Sequence, residues 1–159
     1  MKIRRVKRED MEDFVEVYLK SYEGLEEYAY RTRKDVKWYF RWLFSRDKDG
    51  FIVAEVDSKI VGFVACDTNW FSIFEMEVVG EVHEIVVLPD YRFRGIGSRL
   101  LREALLYALQ KERKLAELFV GKNNYVAKKF YRENGFEEVG EIGKWIRMIK
   151  KLDPREFLR

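Results

Sequence analysis

The chain has 159 residues, 47% hydrophobic and 37% charged, against about 25% charged in an average soluble protein, which argues against a disordered or membrane-spanning polypeptide. That length suits one domain over residues 1–159, with a core that needs no disulfide or metal. Its 31 Lys and Arg against 28 Asp and Glu give +3, and the signs alternate along the chain, so nonspecific nucleic-acid binding has little support.

In chain order, residues 2–7 read as a short edge strand, after which Glu9 and Asp10 can cap a helix. Its apolar positions Met11, Phe14, Val15, Tyr18 and Leu19 follow helical spacing, and it ends near Gly24. From Leu25 to about Phe44, Tyr28, Trp38, Tyr39, Trp42 and Phe44 recur at mixed three- and four-residue spacings and predict one or two further helices. Strands follow: residues 51–56, a turn at Asp57 and Ser58, and residues 59–67, together a hairpin. An aromatic connection with Trp70, Phe71 and Phe74 leads to a long strand, residues 77–88, that stops at Pro89-Asp90. A helix over 97–112, a strand over 115–120 and a helix over 124–134 closing at Gly135 come next. Strands over 136–139 and 144–152, joined by a turn with Gly140 and Gly143, finish the chain. The pattern is antiparallel in its first half and βαβ in its second, an α/β (α+β) fold.

Cys66 and His83 are the only residues of their kinds, which rules out an intrachain disulfide, thiol-rich metal centres and His-cluster metal sites. No metal is expected. The apolar runs, such as 60–66, are far shorter than the roughly 18 residues that span a bilayer. The basic amino terminus has no apolar segment behind it, so a cytoplasmic location is expected and no membrane partner. One Gln and four Asn among many Glu, Lys and Arg lean towards a high-temperature source.

The stretch from Ile85 to Ser98 carries the most chemistry: a strand ends, the chain turns, and Gly95 and Gly97 open an amphipathic helix. Free N–H groups at such a start carry partial positive charge, and glycines let a phosphate come close, so the site suits a pyrophosphate with Arg92 and Arg94 beside it. A Walker loop needs Lys then Ser or Thr where Ser98-Arg99 stands, and the Rossmann fingerprint needs Gly where Leu100 stands. The bland alternative is a tight turn and nothing more.

At this point the chain resembles the GNAT superfamily of acetyl-CoA-dependent N-acetyltransferases. Arg92, Gly95 and Gly97 match its (Q/R)xxGx(G/A) signature, with Val87-Leu88-Pro89-Asp90-Tyr91 as the lead-in. Asn124, Ala127, Tyr131, Gly135 and Phe136 match a second pattern, NxxAxxxYxxxGF, downstream. The resemblance implies a mixed, mostly antiparallel six- to seven-stranded sheet with helices on both faces and a splayed parallel strand pair that holds CoA. It implies acetyl-CoA as acetyl donor, backbone groups of Ile85, Val86 and Val87 on the pantetheine, and Arg92, Phe93, Arg94, Gly95, Ile96, Gly97 and Ser98 around the pyrophosphate. Asn124 would hold the cofactor arm, Ala127 would leave room for it, and Tyr131 would protonate the departing thiolate.

The acceptor amine must shed a proton, and Glu81, His83 and Glu84 are the candidates on the strand beside the thioester. Glu84 is preferred and Glu81 is second. Strict alternation puts Glu81 and His83 on one face and Glu84 on the other, an order that a bulge, usual in the family, reverses. Cys66 lies in an apolar strand without a neighbouring base and reads as a buried, inert thiol. The implied activity is transfer of acetyl to a primary amine, small molecule or protein or peptide, by direct attack in a ternary complex. The alternative from another class is a non-catalytic acyl-CoA-binding or sensing module. A nucleic-acid role for Arg92, Arg94, Arg99 and Arg102 is disfavoured, since a phosphate cofactor already accounts for them. Exposed aromatics and unpaired strand edges suit a homodimer.

Overall fold

A computed structural model describes residues 1–157. Its elements are β1 (Lys2–Arg5), α1 (Met11–Ser21), α2 (Arg33–Arg46), β2 (Phe51–Val56), β3 (Lys59–Ser72) and β4 (Glu77–Val87), then α3 (Ile96–Gln110), β5 (Leu115–Gly121), α4 (Tyr125–Glu133), β6 (Glu137–Ile142) and β7 (Trp145–Lys151). The strands form one seven-stranded sheet in the order β1-β2-β3-β4-β5-β7-β6. Neighbours run antiparallel throughout except β4 and β5, which α3 connects as a crossover. The turn joining β2 to β3 places Asp57 and Ser58 at φ 51° and 65°, the pairing that suits a two-residue hairpin.

Phe14 of α1 meets Phe40 of α2 and, across the sheet surface, Phe51 and Phe63, with ring centroids 5.1–5.7 Å apart. The opposite face carries α3, whose Leu100, Leu101, Ala104, Leu105 and Ala108 are buried. That helix lies close to the strands: a Cβ on Gly80 would stand 2.9 Å from that of Ala108.

Several expectations are corrected in detail. The second hairpin strand does not stop at Asp67 but continues to Ser72, leaving only residues 73–76 as connection. The polar triplet 67–69 looks like a strand end, yet it forms an irregularity inside β3. There Asp67 accepts the Asn69 N–H at 2.9 Å and Asp47 accepts that of Thr68 at 2.8 Å, so the backbone groups the ladder loses find other partners. Asp10 does not cap α1 with its side chain; it lies buried, accepting from the Lys7 N–H at 2.7 Å and from Arg4. The one or two helices expected over residues 25–44 are present as one, α2, capped by Thr32 and running on to Arg46, after a single tight turn at Glu26–Tyr28. Gly140 lies within β6, so the last turn is Gly143-Lys144 alone.

The parallel pair positions the site. β4 and β5 register only at Gly80 with Ala116 and Glu81 with Glu117; beyond that point β4 stays with β3 and β5 with β7. The two strands diverge there, leaving a V with an unpaired backbone edge on each arm.

Candidate active site

Immediately after the last registered pair, β4 bulges. Ala65 pairs with Glu84 but Cys66 pairs with Val82, so His83 is the extra residue. The bulge bends the strand and resets its alternation, bringing Glu84 to the same face as Glu81. Burial pushes the Glu84 carboxyl up to about 7, against hydrogen bonds from Tyr22, Tyr39 and the Ile85 N–H that favour its charged form. The Tyr22 hydroxyl donates to Oε2 at 2.5 Å and the Tyr39 hydroxyl to Oε1 at 3.0 Å.

Glu81 differs in kind. Burial and the neighbouring Glu117 push it up to about 11, so at neutral pH it holds its proton and is no base. Glu117 is itself held by Ser72 at 2.8 Å and Arg147 at 2.7 Å. His83 is also committed: its Nε2 lies 2.9 Å from Asp67, which Arg46 holds as well, and its ring sits against Trp42 and Trp70. Cys66 is buried, and burial raises its thiol far above the ordinary value.

The folded value of Glu81 lies above its ordinary 4.5, so its stabilising contribution is complete below that pH and fades as pH climbs towards 11. Glu81→Gln, which keeps a neutral side chain at every pH, is therefore expected to gain stability relative to the unmodified protein between pH 5 and pH 9. Thermal melts of both proteins across that range check this.

The N–H of Leu88 donates to the Val61 carbonyl, so alternation sends the backbone groups of Ile85 and Val87 to the open edge of the V and those of Val86 towards β3. Ser21, at the end of α1, donates its hydroxyl to the Val87 carbonyl at 3.1 Å. Arg92 reaches back to the Ser21 carbonyl at 2.9 Å, and Arg94 lies over the Tyr91 ring. Phe93, at φ 62°, is almost wholly exposed, and Gly95, at φ 81°, makes the left-handed step that opens α3. The first α3 bond runs from the Arg99 N–H to the Gly95 carbonyl, so the N–H groups of Ile96, Gly97 and Ser98 stand at the helix start without helical acceptors. Ile96 buries its side chain in the core, whereas Ser98 is exposed.

On α4, Asn124 caps the helix by accepting the Ala127 N–H at 3.3 Å. Tyr131 lies one turn beyond Ala127 on the same face, packed between Phe130 and Phe136. Burial, and then the charge of Glu84, hold its hydroxyl above the ordinary phenol value. The fold thus gathers Glu84, Tyr131, the β4 edge and the α3 start around one V. Ser21, Tyr22 and Tyr39 were missed from sequence. Only Tyr39 left a signal, falling on the buried stripe of α2 with Val36, Phe40 and Leu43.

A sequence model described as the acetyltransferase (GNAT) family matches residues 9–136, and the chain belongs to that family of acyltransferases, whose acetyl donor is acetyl-CoA. An uncharacterized N-acetyltransferase of Archaeoglobus fulgidus is 61% identical over 131 residues, 82% of this chain and 89% of the relative. One from Methanocaldococcus jannaschii is 49% identical over 150 residues, 94% of this chain and 66% of the relative. Among solved structures, a Pyrococcus horikoshii protein superposes with TM-score 0.86 at 41% identity, covering 96% of this chain and 98% of that one. The PaiA N-acetyltransferase of Thermoplasma acidophilum, solved in complex with coenzyme A, gives TM-score 0.71 at 25% identity over 94% and 98%. Among the described residues no helix is long and apolar enough to cross a membrane.

Proposed function

We propose that this chain moves the acetyl group of acetyl-CoA to a primary amine, of a small molecule or a peptide, by direct attack in a ternary complex. The observation that carries the reading is Glu84: a buried carboxyl on the arm of the V, poised at about 7, where a base for amine deprotonation works best.

The residues present fit the donor. The unpaired β4 edge offers the backbone groups of Ile85 and Val87 to the pantetheine amides as an added strand would. The N–H groups of Ile96, Gly97 and Ser98, with Arg92 and Arg94 nearby, suit the pyrophosphate. Ala127 leaves space beside the arm, and Asn124 fixes the start of the helix that lines it. When bound, acetyl-CoA supplies an activated thioester carbonyl and a thiolate leaving group. Glu84 takes the proton of the acceptor amine at a carboxylate oxygen, directly or through water. Tyr131 holds a proton at Oη and releases it towards the departing sulfur. Backbone N–H groups at the β4 edge polarise the carbonyl that is attacked.

Tyr131→Phe removes that proton while keeping the ring in place. We expect kcat to fall by about two orders of magnitude with acetyl-CoA affinity unchanged. Steady-state kinetics beside calorimetric titration check this, and an unaltered kcat would remove Tyr131 from the reaction.

A further inference from the structure

α1 delivers Ser21 to the last residue of β4 through the Ser21 to Val87 bond. At the other end of the connecting segment, the Tyr28 ring lies on the last residue of β5, where a Cβ on Gly121 would come within 2.5 Å of it. The Tyr28 hydroxyl accepts the Asn123 N–H at 2.8 Å. Lys144 donates to the Glu27 carbonyl and lies over the Trp145 ring. Residues 22–28 thus run from one arm of the V to the other, pinned at both ends, and Tyr22 is the first of them.

We propose that Tyr22 and Tyr39 are positioning residues that clamp the two oxygens of Glu84, one hydroxyl on each, and set the pH at which this carboxylate accepts a proton from the acceptor; this rests on Glu84 being the base. The groups that face Glu84 are phenols: Tyr18 from α1, Tyr22 from the connecting segment, Tyr39 from α2 and Tyr131 from α4. Of these, Tyr22 and Tyr39 favour its charged form through their hydroxyls, and beyond that pair only the Ile85 N–H of its own strand contributes. Among the described residues no Lys, Arg or His side chain is among the groups that shift it. The hydroxyl donors are therefore what keeps the charged form within reach of neutral pH in a buried place. Without them the carboxyl would hold its proton and could take none from an amine.

The two tyrosines are not equivalent. Tyr39 carries one proton between two acceptors, Glu84 Oε1 at 3.0 Å and the His83 carbonyl at 3.2 Å. When Glu84 is protonated, Tyr39 can turn its hydrogen to His83 and accept from the acid, so it serves both charge states. Tyr22 shows only the Glu84 contact for its hydroxyl and serves the charged state. Loss of Tyr22 should then raise the titration midpoint more than loss of Tyr39.

The first readout is a titration of Glu84 itself, which needs no acceptor, and turnover with an amine acceptor is the second. Carboxyl-carbon NMR titration of the protein labelled at glutamate, with the Glu84 signal assigned by its absence in Glu84→Gln, gives the midpoint in the unmodified protein, Tyr22→Phe and Tyr39→Phe. A hydrogen bond to a charged group is worth enough that Tyr22→Phe should move the midpoint upward by about one pH unit or more. Tyr39→Phe should move it upward by less, and the acid limb of kcat/KM should follow in each. Two variants on different elements keep the test open if one fails to fold. A midpoint unmoved in a folded variant would overturn the clamp, because a merely structural tyrosine leaves it where it is. If Glu84→Gln turned over at the unmodified rate while the midpoints moved as expected, the base assignment would fall, and the catalytic meaning of the clamp with it.

Discussion

Glu84→Gln is expected to lower kcat/KM for acetyl transfer by about two to four orders of magnitude, the usual worth of a positioned proton acceptor. The substitution keeps the shape of the side chain and one oxygen for a tyrosine hydroxyl, but it removes the group that titrates. The rise of kcat/KM through about pH 7 should disappear with it. Acetyl-CoA affinity should change little, since Glu84 touches the pantetheine edge only at the Ile85 N–H, a bond that the glutamine oxygen can also accept. The stability sign is opposite to that of activity. The folded value of Glu84 lies above its ordinary 4.5, so its stabilising contribution is complete below that pH and is lost as pH rises through 7. A glutamine there should therefore melt no earlier than the unmodified protein at pH 8. Kinetics and melts on one preparation check both halves.

The second large effect lies at the start of α3. Gly97→Glu should weaken acetyl-CoA binding by more than about a hundredfold, because a carboxylate among the free N–H groups occupies and repels the pyrophosphate. Crowding is a separate term: a Cβ on Gly97 would meet the Phe130 ring at 3.3 Å, tight enough to require a small shift. Gly97→Ala carries that crowding without the charge and should lose much less affinity. Calorimetry on the pair separates the terms, and equal losses would mean that the site rejects bulk and not charge.

Much of this was readable in the chain. The glycines at 95 and 97 and the pattern from Asn124 to Phe136 mark two helix starts whose geometry follows from local chemistry, and α3 and α4 lie within two residues of their expected bounds. The mostly antiparallel sheet with one parallel pair follows from hairpin signals and a single crossover helix. What stayed hidden depends on contacts between distant residues. The extension of β3 past Asp67 relies on Asp47 receiving the displaced Thr68 N–H, and no local pattern announces that pairing. A bulge in β4 was implied by the family resemblance, but its place at His83 is visible only against the partner strand. Glu81 and Glu84 look alike in sequence, yet one has a buried carboxyl for a neighbour and the other has two phenols. The hydroxyls of Tyr22 and Tyr39 reach Glu84 across 62 and 45 residues of sequence.

The most direct measurement is release of free CoA from saturating acetyl-CoA against a panel of small aliphatic amines, peptides with free amino termini and amino-blocked lysine peptides, with the acetylated acceptor identified by mass spectrometry. Release above background is expected for at least one amine class, lost in Glu84→Gln and in Gly97→Glu. Tight CoA binding with no release for any amine would contradict this and leave a protein that binds acyl-CoA without turning it over.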